Sequence, residues 1–289
     1  MSLPKIWFSS SSGFGRHMTE LALQSGDIAI ATLRSPAALA DLASQYGPDK
    51  LLILRLDVSK PDEIRVAFAK AKEAFGRIDV VFNNAGSGLM SEVEGTPDDV
   101  ARAMFEVNFW GAANVSQEAV RFFREINVPA GGRLLQVSSS GGVQGLPAIG
   151  YYCASKFAIE GLTEALADEI RPEWNIKVTL IELGGFMTNA GRSMVRSVPP
   201  PAYIDIERKI ATARAYLTVN PRMPSDATKG AAAIYKMALT PDPPLRFVLG
   251  KDSLEKVKKK GENLIAAAEA SAPFSEGLGL DLSVLSARR

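Results

Sequence analysis

Two residues with complementary proton chemistry lie four positions apart, Tyr152 and Lys156. Positions i and i+4 share one face of a helix, so an ammonium there stands beside a phenol. A neighbouring positive charge favours the phenolate and lowers a tyrosine pKa from its ordinary value near ~10. Ser139 lies thirteen residues upstream, and a serine at a strand end can hydrogen-bond the carbonyl oxygen that a tyrosine protonates. The three side chains indicate acid–base chemistry on a carbonyl or alcohol. The alternative is an ordinary helical pair.

Composition excludes several classes of protein. The 289 residues carry 33 basic and 32 acidic side chains, a net charge of +1, which does not indicate nucleic-acid or membrane-surface binding. A single cysteine, Cys153, cannot form an internal disulfide and fits a reducing compartment, so we expect a cytoplasmic protein. The sequence contains no apolar run of membrane-span length and no signal-peptide pattern.

Apolar strand patterns alternate with helical patterns along the chain. The strand patterns are Lys5–Phe8, Ile28–Thr32, Leu51–Leu56, Ile78–Phe82, Arg133–Val137, Lys177–Glu182 and Arg246–Leu249. The helical patterns are roughly Gly15–Gln24, Ala37–Tyr46, Pro61–Phe75, Asp98–Glu125, Tyr152–Arg171 and Ser225–Leu239. This alternation predicts an α/β fold: a single-domain, Rossmann-type, doubly wound parallel sheet of about seven strands with helices on both faces. We predict a domain over residues 1–271 and a loosely structured tail over 272–289.

Polar and glycine-rich segments follow the predicted strands, where open α/β sheets bind ligands. They are Ser9–Gly15, Asp57–Val58, Asn83–Gly86, Ser138–Gly142 and Gly184–Thr188. The first segment is the candidate phosphate loop, because a helix N-terminus offers amides and partial positive charge, and glycine lets the backbone approach a pyrophosphate. Its candidate contacts are Ser10, Ser11, Ser12, Gly13, Phe14 and Gly15. A serine-rich helix cap is the alternative interpretation.

Arg34 follows the second predicted strand, and no carboxylate occurs between Ile28 and Ala40. In a dinucleotide site an acidic residue at this strand end holds the ribose 2′-hydroxyl of NAD, whereas arginine accommodates the 2′-phosphate of NADP. Ser12 and Arg16 are further candidate phosphate contacts. The pattern favours NADP(H) without excluding NAD(H). A surface arginine with no ligand is the alternative.

The chain resembles the short-chain dehydrogenase/reductase family over nearly its whole length. The matching segments are Ser12–Gly15, Asn83–Gly86, Val107–Asn108, Ser139, Tyr152 with Lys156, and Gly184–Thr188. Within that family it resembles the 17β-hydroxysteroid-dehydrogenase-like branch. The segments that resemble this branch are Ala31–Arg34, Asn108–Gly111 and the long C-terminal part.

The resemblance implies a catalytic set. Tyr152 would be the general acid in carbonyl reduction and the base in alcohol oxidation. Lys156 would bind the nicotinamide ribose and lower the Tyr152 pKa, and Ser139 would hydrogen-bond the substrate oxygen. Asn108 would hold a water in a proton relay; the alternative is that it only caps or kinks its helix.

The resemblance also implies cofactor contacts. Asp57 and Val58 would line the adenine pocket, and Asn84, Ala85 and Gly86 would pack beside the adenosine ribose. In the segment that begins at Gly184, the backbone near Phe186 and the Thr188 side chain would hold the carboxamide.

Two departures from the family pattern stand in the matched segments. The family's first loop begins Thr-Gly, but here Phe8 and Ser9 occupy those positions in an ungapped alignment; alternatively, the loop is about two residues shorter. We therefore expect weakened or altered cofactor binding, because a non-glycine residue at positive φ costs on the order of 1 kcal/mol. Leu183 stands where the family usually has proline. We predict an NADP(H)-dependent oxidoreductase; the alternatives are a non-redox lyase, isomerase or cyclase of this fold, or a dinucleotide-sensing protein.

Other chemistry lacks the residues it needs. The only histidine, His17, lies in the first helix, and no Gly-x-Ser-x-Gly elbow or metal-spaced cluster is present. We expect Cys153 to be a packing residue.

The resemblance further implies a substrate lid over about 186–223. Its apolar residues favour a small or medium-sized hydrophobic carbonyl or alcohol, although covering the core would explain them as well. They are Met187, Met194, Val195, Val198, Tyr203, Ile204 and Tyr216. A homodimer or homotetramer through the helices over 98–125 and 152–171 is also implied. The aromatic bulk available to it comprises Phe105, Phe109, Trp110, Phe122 and Phe123.

Overall fold

The fold is a parallel sheet between two layers of helices, seen in a computed structural model that describes residues 4–10, 12–188, 194–204, 214 and 223–279. The strands in chain order are β1 Ile6–Ser10, β2 Ile28–Leu33, β3 Leu51–Arg55, β4 Val80–Asn83, β5 Leu89–Met90, β6 Gly132–Val137, β7 Ile176–Leu183, β8 Phe186–Met187, β9 Val195–Arg196, β10 Ser225–Asp226 and β11 Arg246–Leu249. Seven of them form one parallel sheet in the order β11-β7-β6-β4-β1-β2-β3. This confirms the predicted doubly wound fold. Two short parallel pairs, β10 with β8 and β5 with β9, lie outside it.

Eight α-helices are described. They are α1 Phe14–Gln24, α2 Ala40–Ala43, α3 Pro61–Phe75, α4 Asp98–Phe105, α5 Ala112–Glu125, α6 Gly150–Glu169, α7 Ala227–Ala238 and α8 Lys251–Ser275. The helix predicted over Ala37–Tyr46 is wrong as one helix, since a 3₁₀ turn at Pro36–Leu39 precedes a single α turn. Only Leu39 and Leu42 of this segment are buried, so little apolar surface stabilises a longer helix.

The helix predicted over Asp98–Glu125 is interrupted. A π-helical turn, Glu106–Gly111, lies between α4 and α5. Single π turns inside α-helices occur frequently at functional sites, and they have no distinctive sequence period. Phe122 and Phe123, expected as apolar bulk for an oligomer interface, are instead 1% and 0% exposed in the core.

Successive side chains of a strand are buried against the helices on opposite faces of the sheet. Phe8 packs with α3 and α5, with its ring stacked 4.5 Å from that of Phe68. The preceding residue, Trp7, points to the opposite face and stacks on Tyr235 of α7 at 4.9 Å. Because successive side chains of a strand alternate in direction, a strand buried on both faces must be apolar throughout. This explains why the strands appear in the sequence as continuous apolar runs.

The connection from β3 to β4 reverses the direction in which the sheet grows. Strands β2 and β3 lie on one side of β1, whereas β4, β6, β7 and β11 lie on the other. The loops after β1 and β4 therefore meet at a switch point, where sheets of this type bind ligands. The Asn84 Nδ2 donates to Ser10 Oγ at 3.1 Å and joins the two loops.

The first turn of α8 is attached to the end of β7. The Ser253 hydroxyl donates to the Glu182 carbonyl at 2.9 Å, and Gly185 N donates to the Asp252 carboxylate at 3.0 Å. The helix continues to Ser275, so the prediction of a loose tail is wrong for residues 272–275; residues 280–289 lie outside the described part. In the described ranges, no helix is both long and apolar enough to cross a membrane.

We predict that Asp252→Ala lowers the free energy of unfolding by about 1–3 kcal/mol, because the Gly185 amide loses a charged acceptor. Asp252→Asn keeps an acceptor oxygen and should lose less. Urea unfolding measures both, with exposed Glu255→Ala on the same helix as the control. An Asp252→Ala variant as stable as Glu255→Ala would contradict this role for the carboxylate.

Candidate active site

Helix α6 lies across the end of β6 and brings Ser139, Tyr152 and Lys156 together. Ser139 begins a 3₁₀ turn after β6, and its hydroxyl accepts from Gly141 N at 3.1 Å. A Cβ on Gly141 would lie 3.3 Å from Tyr152 Cε1 and 3.5 Å from Ser139 Oγ. The absence of a side chain at Gly141 therefore lets the serine turn approach the phenol closely.

The pKa of Tyr152 differs from the sequence expectation. Burial raises the pKa of the phenol, and the hydrogen bond with Ser139 opposes this shift. Lys156 Nζ lies 6.0 Å from the centre of the Tyr152 ring and donates to the Val137 carbonyl at 3.0 Å. In this structure the Lys156 ammonium is directed at a backbone oxygen, and desolvation determines the direction of the Tyr152 shift, so the lowering of the Tyr152 pKa by Lys156 stays a prediction.

Lys156 itself is buried, with 5% of its surface exposed. Burial lowers its pKa to about 8, while the nearby Glu160 carboxylate acts in the opposite direction. Glu160 accepts from Ser138 Oγ at 2.5 Å and from Arg246 Nη1 at 2.8 Å. Sequence reasoning missed Glu160, although its position one helical turn after Lys156 was a signal.

The buried Asn108 side chain is the centre of the π turn. Its Oδ1 accepts from Ser87 N at 2.8 Å, and its Nδ2 donates to the Ser87 carbonyl at 2.9 Å and to Ser155 Oγ at 3.1 Å. Asn108 therefore fastens the loop after β4 to α6, beside Lys156. Gly86 borders the same place, since a Cβ there would lie 3.8 Å from Lys156 Nζ.

The candidate phosphate loop is the β1–α1 connection. Gly13 has φ 52° and immediately precedes Phe14, the first residue of α1. Left-handed φ is accessible to glycine without a steric penalty. A Cβ on Gly13 would lie 3.6 Å from Thr188 Cβ, so the two predicted cofactor segments face each other. The rings of Phe14 and Phe186 are 5.0 Å apart, edge to face.

Ser9 does not substitute for the missing glycine. It lies inside β1, paired with Ala31 and Phe82, and its buried hydroxyl is 3.0 Å from that of Thr19. Ser9 therefore has extended strand backbone and carries no positive-φ strain, and the two alignments of this loop with the family pattern both remain possible. Ser12 is exposed and Gly15 is buried, while Ser11 lies outside the described residues.

The predicted adenosine contacts lie at neighbouring strand ends. Arg34 is exposed after β2. Burial raises the pKa of Asp57, but hydrogen bonds from Ser59 and the Arg34 charge leave it below its ordinary value. Val58 packs under the π turn, since a Cβ on Gly111 would lie 2.8 Å from Val58 Cγ2.

Two further predictions concern Arg16 and the loop after β4. Arg16, expected as a phosphate contact, forms ion pairs with Glu20 at 2.7 Å and with Asp41. Asn84 lies at the switch point and is followed by Ala85.

The turn from Gly184 to Phe186 is held by Asp252, which sequence reasoning also missed. Gly184 packs against this carboxylate, because a Cβ there would lie 2.1 Å from Asp252 Oδ1. The Gly185 amide donates to the other carboxylate oxygen. The signal was absent from the local sequence, since Asp252 is 67 residues away from Gly185.

The described part of the predicted lid presents apolar side chains on the surface. Met187 and Val195 are each 50% exposed, Ile204 is 59% and Val198 is 86%. Strand β9 pairs with β5, which holds the lid segment against the body. Tyr216 lies outside the described residues. The alternative that these residues cover the core is therefore wrong for the four that are exposed.

The residues present suit a dinucleotide. Gly13, with its left-handed φ, and the N-terminus of α1 lie at the switch point. Arg34 lies at the end of the neighbouring strand β2, and the Ser139 hydroxyl and the Tyr152 phenol lie beyond the end of β6. The hydroxyls of Ser139 and Tyr152 and the buried amine of Lys156, at the carboxyl ends of the parallel strands, can orient a carbonyl and transfer a proton to it.

Comparisons with known proteins agree with this description. Residues 8–198 match the family model of short chain dehydrogenases. An uncharacterized oxidoreductase from Schizosaccharomyces pombe is 35% identical over 273 residues, which cover 94% of this chain and 90% of that protein. The human 17-beta-hydroxysteroid dehydrogenase type 1 is 35% identical over 185 residues, 60% of this chain and 54% of that protein.

Solved structures share the fold. A short-chain dehydrogenase from Streptomyces avermitilis superposes with a TM-score of 0.87 at 33% identity, covering 96% of this chain and 100% of that chain. Two less similar structures support the fold alone. One from Burkholderia phymatum, in complex with NAD, has a TM-score of 0.75 at 22% identity and covers 91% of this chain and 95% of that one. One from Burkholderia cenocepacia, in complex with NADP, has a TM-score of 0.71 at 21% identity and covers 93% of this chain and 98% of that one. The chain therefore belongs to the short-chain dehydrogenase family of oxidoreductases and has 17β-hydroxysteroid dehydrogenases among its relatives.

Proposed function

We propose that this protein is an NADP(H)-dependent oxidoreductase that interconverts a hydrophobic ketone and a secondary alcohol. The observation that carries the proposal is that the Tyr152 ring and the Ser139 hydroxyl both lie close to Gly141, beyond the end of β6 and beside buried Lys156. A bound nicotinamide supplies or accepts the hydride. The protein must then orient the substrate oxygen and supply or remove one proton.

Tyr152 is the proposed proton donor. In reduction its hydroxyl gives a proton to the carbonyl oxygen, and in oxidation the phenolate takes one from the alcohol. Ser139 donates a hydrogen bond to the same oxygen and so holds it near Tyr152. A tyrosine phenol is protonated at neutral pH, and the burial that raises the Tyr152 pKa favours that form further, which suits a proton donor.

Lys156 and Asn108 support this step. Lys156 Nζ is 6.0 Å from the Tyr152 ring centre, so a change of side-chain rotamer can direct the ammonium to a ribose hydroxyl or toward the phenol. Asn108 holds the loop after β4 against α6 and thereby keeps one wall of the site in place. A relay water beside Asn108 remains part of the proposal.

The proposed cofactor contacts lie along the carboxyl ends of the parallel strands. The amides of the Ser12–Gly15 turn bind the pyrophosphate, and Arg34 binds the 2′-phosphate. Asp57 and Val58 line the adenine site, and Asn84–Gly86 pack beside the adenosine ribose. The Phe186 backbone and Thr188 bind the carboxamide next to Gly184. Arg34 favours NADP(H), and NAD(H) remains an alternative cofactor.

The exposed apolar lid residues support a hydrophobic substrate. Exposed Trp110 and Phe157, at 53% and 42%, support self-association through the helices α4, α5 and α6 into a homodimer or homotetramer. A cytoplasmic location fits the single buried cysteine, Cys153.

Tyr152→Phe tests the proton donor. We predict a loss of turnover of roughly 10²- to 10⁴-fold in a screen of apolar ketones, because the phenol proton is removed. Cofactor binding, followed by nicotinamide fluorescence, should stay within about twofold since the ring remains. Tyr151→Phe is the matched control and should keep its turnover. Full activity of Tyr152→Phe would rule out this mechanism.

Arg34→Ala tests the cofactor preference. We predict that it weakens NADPH binding by roughly 10- to 100-fold, the effect of losing charge-assisted hydrogen bonds to a phosphate, and leaves NADH binding nearly unchanged. Arg55→Ala, an exposed arginine at the end of β3, is the control. Equal loss for both cofactors, or no loss, would contradict the role of Arg34.

Lys156→Met tests the buried amine through stability. The folded-state pKa of Lys156 is about 8 against an ordinary 10.5, so the folded chain loses this proton at lower pH than the unfolded chain. The penalty for burying the charge is fully present below pH 8 and disappears as pH rises towards 10.5. The stability of Lys156→Met relative to wild type should therefore fall by about 2 kcal/mol between pH 7 and pH 10.

Urea unfolding at the two pH values measures this difference, and exposed Lys70→Met is the control. A pH-independent difference between Lys156→Met and wild type would show that Lys156 titrates normally.

A further inference from the structure

Helix α8 leaves the body of the protein after its first turns. Its 25 residues begin at the end of β11, and only Ser253 among them is buried. From residue 262 onward every described residue of the helix is exposed. Leu264 and Ile265 are 56% and 63% exposed, and Leu254 is 44% exposed. A long helix with large apolar residues in water has surface that a partner would bury.

Five small or apolar residues of α8 follow one face of the helix, while Ile265 borders that face and Phe274 lies off it. Leu254, Val257, Gly261, Leu264 and Ala268 follow one another at spacings of three, four, three and four. We name these five residues the α8 stripe. This heptad spacing is typical of a helix that packs along another helix, since a globular contact face is wider.

The charges along α8 divide into two halves. Residues 251–260 contain five lysines, one aspartate and one glutamate, a net charge of +3. Residues 261–275 contain two glutamates and no basic residue, a net charge of −2. Two such helices attract when antiparallel, because each positive half then faces a negative half. A parallel pair would bring like charges together.

We propose that α8 is a self-association surface on which the α8 stripe pairs, antiparallel, with α8 of a second copy of this chain. The helix is complementary to itself in charge, and a two-fold axis places the same patch on both copies. The interaction does not depend on the proposed redox function.

The stripe also fixes a register. In an antiparallel pair, Leu264 faces Gly261 of the second copy, and Val257 faces Ala268. Apart from the neighbouring residues and the backbone of α8 itself, no atom lies within 4 Å of the position of a Gly261 Cβ, so this place is open to receive the leucine. Leu254 and Ser271 are about 26 Å apart at 1.5 Å per residue, which keeps the two protein bodies at opposite ends of the pair.

The same register accounts for the flanking charges. Lys258 borders the stripe, and within one helical turn it meets Glu269 of the second copy. Glu262 and Glu269 flank the stripe on the side that Lys258 occupies. Carboxylates at the edge of an apolar stripe oppose binding to an anionic lipid surface, so the charges favour a second copy over a membrane.

Leu264→Glu tests the pairing in the full-length protein. Light scattering after gel filtration should give Leu264→Glu half the mass of wild type: two chains against four if the proposed interface through α4, α5 and α6 also forms, and one against two if it does not. Ala266→Glu adds the same charge on the opposite face of α8 and should keep the wild-type mass. Circular dichroism should show the same helix content in both variants. A monomeric wild type, an unchanged mass for Leu264→Glu, or equal loss for Ala266→Glu would overturn the proposal.

A charge exchange tests the antiparallel direction. Lys258→Glu and Glu269→Lys should each raise the dissociation constant at low salt by roughly 3- to 10-fold, the effect of one unfavourable exposed pair. The double variant should return towards wild type, because the pair is restored with its signs exchanged. Failure of this rescue would overturn the antiparallel register. Sedimentation of the full-length wild type with phosphatidylserine vesicles, lost in Leu264→Glu, together with a monomer in solution, would assign the stripe to a membrane instead.

Discussion

The site depends on how closely α6 lies against the end of β6. Three contacts hold this distance: Lys156 Nζ on the Val137 carbonyl, Ser138 Oγ on Glu160, and the Gly141 backbone against the Tyr152 ring. The first contact involves Lys156 itself, the second involves the residue before Ser139, and the third involves the Tyr152 ring. A larger side chain at the turn would separate Ser139 from the phenol. The position of the Ser139 hydroxyl relative to the Tyr152 hydroxyl is therefore set by close packing of the backbone at Gly141.

Burial between α6 and the end of β6 also shifts the pKa values of Tyr152 and Lys156. Burial raises the Tyr152 pKa and lowers the Lys156 pKa, so both groups favour their neutral forms more than they do in water. Burial therefore favours a protonated phenol at Tyr152 and eases loss of the Lys156 proton. A charged ligand at the open edge would alter that balance, which links the proton step to cofactor binding.

The sequence predicts the sheet and most of its helices because continuous apolar runs and helical periods are local signals. It also brings Ser139, Tyr152 and Lys156 to one edge, since parallel strands end together. The features that it misses depend on contacts across the fold. The π turn at Asn108 has no period of its own, and Asp252 reaches Gly185 from 67 residues away. The burial that raises the Tyr152 pKa is likewise not visible in a four-residue spacing.

The loop after β1 lacks the first glycine of the family pattern. Gly13 supplies the left-handed residue, and Ser9 remains in the strand, so the turn still opens a helix at the switch point. The decisive measurement is a titration of the wild-type protein with NADPH and with NADH, following nicotinamide fluorescence. We predict saturable binding of both nucleotides, tighter for NADPH. The absence of binding by either nucleotide would contradict the dinucleotide site and favour a non-redox role for this fold.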